Sequence, residues 1–190
     1  MDLYTASNRL WRGFRSHGET QERVIGDHAL IGDGASCALV SVDGSIAWLC
    51  LPRFDSPSVF AQILDRDRGG TCRVAPASGE FESLQAYDES TNVLQTLFRS
   101  AQGVVQLTDF MPWSGDDDRF SVHELHRLIE VREGSVEMEL VFDPPSLETM
   151  LRVRSAWDRH GRMNPGKLLP VHICMEVRTR PIIPSGEATA

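Results

Sequence analysis

The chain has 190 residues, 41% of them hydrophobic, and 27 acidic against 19 basic side chains give it a net charge of −8. This length accommodates one domain, or one domain with an appendage, and the acidic balance argues against nucleic acid or an anionic membrane as partner. No apolar run approaches the roughly 18–20 residues a bilayer span needs, and Asp2 and Trp11-Arg12-Gly13-Phe14-Arg15 break any signal-peptide core, so a cytoplasmic location is expected.

Residues 1–23 show no sustained period and are rich in Ser, Arg and Gly, which predicts a disordered or loosely packed leader. From residue 24 to residue 142, short apolar segments alternate with turn residues, the pattern of an all-β, antiparallel β-sandwich. Residues 36–42 and 45–50 flank Asp43-Gly44, which predicts a hairpin closed by a type I′ turn. Ser56 as cap, Pro57 at the first helical position and Phe60, Ile63 and Leu64 on one face predict a short helix, ended by Gly69-Gly70. A second hairpin is expected between residues 92–99 and 104–110, turning at Ala101-Gln102-Gly103.

The clearest alternation sets Val136, Met138, Leu140 and Phe142 against Glu137 and Glu139, a strand with one wet face. Its expected partner is residues 120–131, joined through Glu133-Gly134, although Val122, Leu125 and Ile129 also fit a helical face. After Pro144-Pro145 the character changes. Ser146 caps a predicted helix through His160, and Gly161 stands at its natural end. Residues 147–190 hold seven Arg/Lys and four Asp/Glu, a net of +3, which leaves −11 for the first 146. The predicted organisation is therefore a leader over 1–23, a sandwich over 24–145 and a short helical C-terminal tail over 146–190.

The run Asp43-Gly44-Ser45-Ile46-Ala47-Trp48-Leu49-Cys50-Leu51-Pro52-Arg53-Phe54-Asp55-Ser56-Pro57-Ser58, preceded by Ile25-Gly26-Asp27-His28-Ala29-Leu30-Ile31-Gly32-Asp33-Gly34, resembles the N-terminal domain of family-15 glycoside hydrolases. Those are the bacterial glucoamylases and the trehalases of that type. Further marks of the resemblance are Ser58-Val59-Phe60-Ala61, Gly69-Gly70, Tyr87, Thr91-Asn92-Val93-Leu94, Thr108-Asp109-Phe110-Met111-Pro112 and Val141-Phe142-Asp143-Pro144, so that it covers residues 24–143. Ala47 stands where the family usually has Asp, Thr71-Cys72 replaces an aromatic or His pair, and no Arg-Phe-Asp-Tyr-like segment follows Pro144. Residues 151–170, centred on Asp158-Arg159-His160-Gly161-Arg162-Met163-Asn164-Pro165-Gly166-Lys167, are instead similar to the C-terminus of FAD-linked oxidases of the glycolate oxidase and D-lactate dehydrogenase type. Arg159 replaces their usual Pro, and a chance helix followed by an Asn-Pro-Gly turn is the alternative.

The first resemblance implies a sandwich that carries no catalytic residues, because in the family the carboxylates sit on a following (α/α)₆ barrel. That barrel, in trans or missing, is the expected partner, with glucan or trehalose as the implied ligand and no cofactor or metal. The implied substrate-binding residues are Arg53, Phe54 and Asp55, reaching the sugar cleft only when a barrel is present. The same three residues also fit a structural corner, with an Arg53–Asp55 ion pair and Phe54 in the core. Two other classes stay open: a stand-alone carbohydrate- or protein-binding sandwich, and a remnant of an FAD-linked oxidase.

Other candidate chemistry is weak. A glycosidase needs two carboxyl groups flanking the scissile bond. Asp116-Asp117-Asp118 reads as a solvated loop, however, and Glu137 and Glu139 as a wet strand face. Asp27-His28 point to opposite faces if extended. His123 and His126 lack same-face strand spacing and a third metal ligand. Trp48 reads as core, Lys167 as exposed on a turn, and Cys37, Cys50, Cys72 and Cys174 as buried free thiols without metal spacing.

Overall fold

A computed structural model describes residues 15–17, 25–78, 80–113, 123–145 and 177–179. Through them run strands β1 (Arg15–His17), β2 (His28–Gly32), β3 (Cys37–Ser41), β4 (Ile46–Cys50), β5 (Ser58–Phe60) and β6 (Thr71–Pro76). They are followed by β7 (Phe81–Tyr87), β8 (Leu94–Ser100), β9 (Gly103–Phe110), β10 (His126–Gly134), β11 (Met138–Asp143) and β12 (Val177–Thr179). Among the described residues the only helical piece is a 3₁₀ turn at Ile25–Asp27. The expected all-β class holds.

One layer is a six-stranded sheet in the order β1-β7-β8-β9-β10-β12, faced by a four-stranded sheet β2-β3-β4-β5 and a two-stranded ribbon β11-β6. Neighbours are antiparallel except β10 and β12, which run parallel. Period 2 fills the space between the layers from both sides. Ile31, Ala38, Val40, Ile46, Leu49 and Phe60 of the smaller sheet meet Leu94 and Met111. At the other half of the core, Val74 and Ala75 of β6 meet Phe81, Phe98, Val105, Leu107 and Ile129. Edge-to-face ring pairs, Phe60–Phe142 at 5.7 Å and Phe81–Phe98 at 5.5 Å, fasten each half.

Both hairpins form where the turn residues stand. The β3–β4 turn is nevertheless not type I′. Only Gly44 has positive φ, at 79°, and its N–H returns to Ser41 O at 2.9 Å. The loop is a type I turn followed by a left-handed glycine, the three-residue alternative. Asp43 stays at negative φ because its buried carboxylate accepts Ser45 N at 3.1 Å and Ser45 Oγ at 3.0 Å. A side chain on Gly44 would run into the Val74 carbonyl of the neighbouring ribbon. The β8–β9 hairpin forms as expected, but Ser100 pairs with Gly103, so Gly103 opens β9 rather than closing the turn.

Three expectations are corrected. The predicted helix after Ser56 is absent: Ser58–Phe60 pairs as an edge strand with β4, and Ile63 and Leu64 lie exposed in a turn. The free edge of β4 offers Val59 and Phe60 a ladder and a core slot, which outweighs the capping signal. Strand β11 alternates as predicted, Glu137 and Glu139 exposed, but pairs with β6 rather than β10. β10 itself is a strand, paired with β9 from His126↔Phe110 to Gly134↔Gly103. Finally, Arg15–His17 within the predicted loose leader pairs with β7, and Val177–Thr179 within the predicted helical tail pairs with β10. The helix expected over 146–160 and the oxidase-like turn lie outside the described residues, as does Asp116-Asp117-Asp118.

Candidate functional site

Chain reversal in this topology gathers four connections at one end of the sandwich: β2–β3 (33–36), β4–β5 (51–57), β7–β8 (88–93) and the described flanks of β9–β10 (111–113 and 123–125). Loops on such an end are where a rigid scaffold carries binding groups. Specific bonds tie them together. Asp33, nearly fully buried, accepts Ala35 N at 2.9 Å and Ser36 N at 2.7 Å on one oxygen and faces His123 Nδ1 at 3.3 Å with the other. Ser36 Oγ donates to the Cys50 carbonyl, and Phe54 N donates to Ala35 O at 3.0 Å. The 33–36 loop is thus bonded to both the base and the tip of the 51–56 loop.

On that tip stand the three residues singled out from the sequence. Arg53 Nε donates to Asp55 Oδ1 at 3.2 Å, with the two side chains 71% and 80% exposed. Phe54 is 59% exposed, so it is not part of the core. Their backbone is fixed beneath them: Ser56 Oγ accepts Arg53 N at 3.1 Å and Ser56 N donates to Arg53 O at 3.0 Å. An ordered backbone thus presents a cation, an anion and an aromatic face to solvent. Trp113, at the described start of the β9–β10 connection, is 72% exposed.

The histidines do not converge. His126 stacks on Phe110, centroids 5.0 Å apart, with Nε2 at 2.9 Å from Glu124, while His123 faces Asp33. His28 is half-buried on β2 with Nδ1 unpartnered, opposite Ser41 on β3. Among the described residues no group of three or more His, Cys, Asp or Glu is arranged to hold a metal ion, and no helix is long and apolar enough to cross a membrane.

Two further features were missed from the sequence. The first is a polar clamp inside the core. Arg127 of β10 donates Nε to Asp109 Oδ1 at 2.8 Å and Nη2 to Asp109 Oδ2 at 3.2 Å. It also donates Nη1 to Cys72 O at 2.9 Å and Nη2 to Gly44 O at 2.7 Å. Burial alone would lower its pKa, but the Asp109 charge and hydrogen bonds outweigh that and push it upward. The signal was present: Asp109 alternates with Val105 and Leu107, which puts a carboxylate on the inward face, where it needs a cation.

The second is an apolar row across the outer face of the smaller sheet. Register sets Leu30 opposite Leu39 and Leu39 opposite Trp48. Their neighbours Ile31, Ala38 and Leu49 fill the core, so this row faces outward, with Leu30 54% exposed and Leu39 and Trp48 half-buried. Trp48, expected in the core, lies on this outer row instead, because the bulge between Leu39 and Val40 shifts the face on which β4 presents it.

The fold and its bonded loop end define an antiparallel β-sandwich module. The profile of the trehalase-like, N-terminal family matches residues 12–161, beyond both ends of the segment its motifs marked, and the chain belongs to that family. It is 37% identical over 119 residues to a trehalase of Thermoplasma volcanium, covering 62% of this chain and 19% of that protein. It is 46% identical over 82 residues to trehalase 1 of Sulfolobus acidocaldarius, covering 43% and 14%. With a trehalase of Mycolicibacterium smegmatis it shares 30% identity over 151 residues, covering 72% and 22%. The chain spans about a fifth of the length of the curated relatives it matches. No solved structure matches it significantly.

Proposed function

We propose that this sandwich is a non-catalytic N-terminal domain of a trehalase- or glucoamylase-like family-15 glycoside hydrolase, acting in carbohydrate metabolism beside a catalytic (α/α)₆ barrel. The observation that carries the reading is the outward row Leu30, Leu39 and Trp48, in a chain that spans about a fifth of its trehalase relatives. An apolar strip on an otherwise acidic domain favours a protein surface as its cover. The reading gives Arg53, Phe54 and Asp55 the role of reaching toward the barrel's sugar cleft, with trehalose or a glucan as ligand. A cytoplasmic location goes with this reading.

A second reading, a stand-alone carbohydrate-binding module, draws on Phe54 and Trp113, both exposed on loops of the same end. One experiment separates the two. The chain is assayed on trehalose and maltooligosaccharides, alone and with the M. smegmatis trehalase shortened by its matching segment. The accessory reading expects no glucose from the chain alone, and recovery of the shortened trehalase that is lost on Leu39→Asp. Glucose release by the chain alone would overturn it. Retention on immobilised glucan without any recovery would favour the stand-alone module.

A further inference from the structure

We propose that Cys37 and Cys50 form a cross-strand dithiol that small-molecule disulfides oxidise to an intramolecular disulfide, tying β3 to β4 at the base of the Arg53-Phe54-Asp55 loop. The inference rests on the ladder and on exposure, and does not depend on the accessory-domain reading.

Strands β3 and β4 pair antiparallel with Ala38 opposite Leu49, and their terminal residues one step further are Cys37 and Cys50. Residues directly opposite in an antiparallel ladder have Cα atoms about 4.5–5.5 Å apart and side chains on one face, inside the roughly 4.4–6.8 Å that a disulfide spans. Because Ala38 and Leu49 point into the core, both cysteines point the other way. The hydrogen bond from Ser36 Oγ to the Cys50 carbonyl holds this end of the ladder closed. Cys37 bears on Cys50: the Cys50 pKa is raised first by burial and then by Cys37, against a hydrogen bond from the Trp48 side chain. Cys72 is no competitor. It lies on the core side, its carbonyl and thiol both engaged by Arg127.

Exposure orders the chemistry. Cys37 is half-buried and Cys50 buried, so the Cys37 thiolate attacks the oxidant first. It forms a mixed disulfide and expels one small thiolate. The Cys50 thiolate then attacks the Cys37 sulfur, expels the second small thiolate and closes the bond. The protein loses two electrons and two protons, and the oxidant becomes two thiols. Cys37 also has a raised pKa, from burial and from Asp33. The pair is therefore slow near neutral pH and faster as the medium turns alkaline, since the thiolate is the nucleophile.

The test uses the full chain carrying Cys174→Ser, treated with oxidised glutathione and then digested with trypsin. Both cysteines fall in one tryptic peptide, residues 24–53, so closure reads as the loss of two hydrogens from that peptide. The expected result is this closed peptide, formed faster at higher pH, with Cys72 alkylated only after unfolding and the melting temperature raised. The Cys50→Ser variant should stop at one glutathione on Cys37. A stable mixed disulfide on Cys37 in the chain that keeps Cys50 would overturn the proposal. So would closure that occurs only in denaturant.

Discussion

Arg127 and Asp109 stand directly opposite on β10 and β9 and share two hydrogen bonds, one to each carboxylate oxygen. The remaining donors of the same guanidinium reach the carbonyls of Cys72 on β6 and Gly44 in the β3–β4 turn. One side chain therefore links the large sheet to both parts of the opposing layer. Its planar fork suits this where a lysine could not, because it points several donors in fixed directions. Asp109 is fully buried, so the pair has almost no solvent screening.

The first prediction follows from that burial. Arg127→Met leaves Asp109 as an uncompensated buried charge, and should destabilise the domain by about 3–5 kcal/mol in urea titrations. The double variant Arg127→Met with Asp109→Leu should recover a large part of the loss. A double variant as unstable as the single one would mean that the carbonyl contacts, not the ion pair, carry the effect.

A second prediction concerns the open edge of β2. Tyr87 Oη accepts Leu30 N at 2.8 Å and donates to Leu30 O at 2.7 Å, and Asn92 Nδ2 donates to Gly32 O at 2.5 Å. These side chains satisfy strand groups that would otherwise pair with another chain. Tyr87→Phe should cost about 0.5–1.5 kcal/mol and increase self-association, measured by sedimentation at rising concentration.

The exposed loop gives a contrasting prediction. Arg53 and Asp55 form a surface ion pair, and such pairs contribute about 0–1 kcal/mol. Arg53→Ala and Asp55→Ala should leave the melting temperature close to that of the parent chain. Any effect on a glycosidase partner's turnover would then be separable from folding. A large loss of stability in either variant would favour the structural corner.

The thiols predict an alkaline limit. Burial raises the pKa of Cys37, Cys50 and Cys72, with Arg127 opposing it at Cys72. Above the ordinary thiol pKa of about 8.5, the unfolded chain releases these protons while the folded chain keeps them. The folded state then binds more protons, so its stability falls as pH rises through that window and is unaffected below it. Melting temperatures between pH 7 and 10 should decline at the alkaline end, less steeply in Cys50→Ala.

A last prediction tests the β3–β4 turn. Gly44→Ala forces a side chain onto a positive-φ residue and into the Val74 carbonyl. The loss should exceed about 1 kcal/mol, more than strain at an open turn, and should also weaken the Arg127 contact to Gly44 O, seen as a lower unfolding midpoint.

Local periodicity made the strands legible. Alternation of apolar and polar residues over 136–142 and the turn residues at Asp43-Gly44 and Ala101-Gln102-Gly103 are short-range properties, and each strand appears where they put it. Arg53, Phe54 and Asp55 were likewise recognisable as a loop cluster, because proline and serine fix a chain reversal from neighbouring residues alone. Partner choice was not legible. β11 pairs with β6, some 65 residues distant, and Ser58–Phe60 becomes a strand because β4 has a free edge. Both outcomes depend on which apolar faces meet across the core, and no local window contains that information. The joining of Arg127 to Asp109 comes from the β9–β10 ladder, and the outward row Leu30–Leu39–Trp48 from the β2–β3–β4 ladders. Register, set by tertiary packing, decides which side chains share a face.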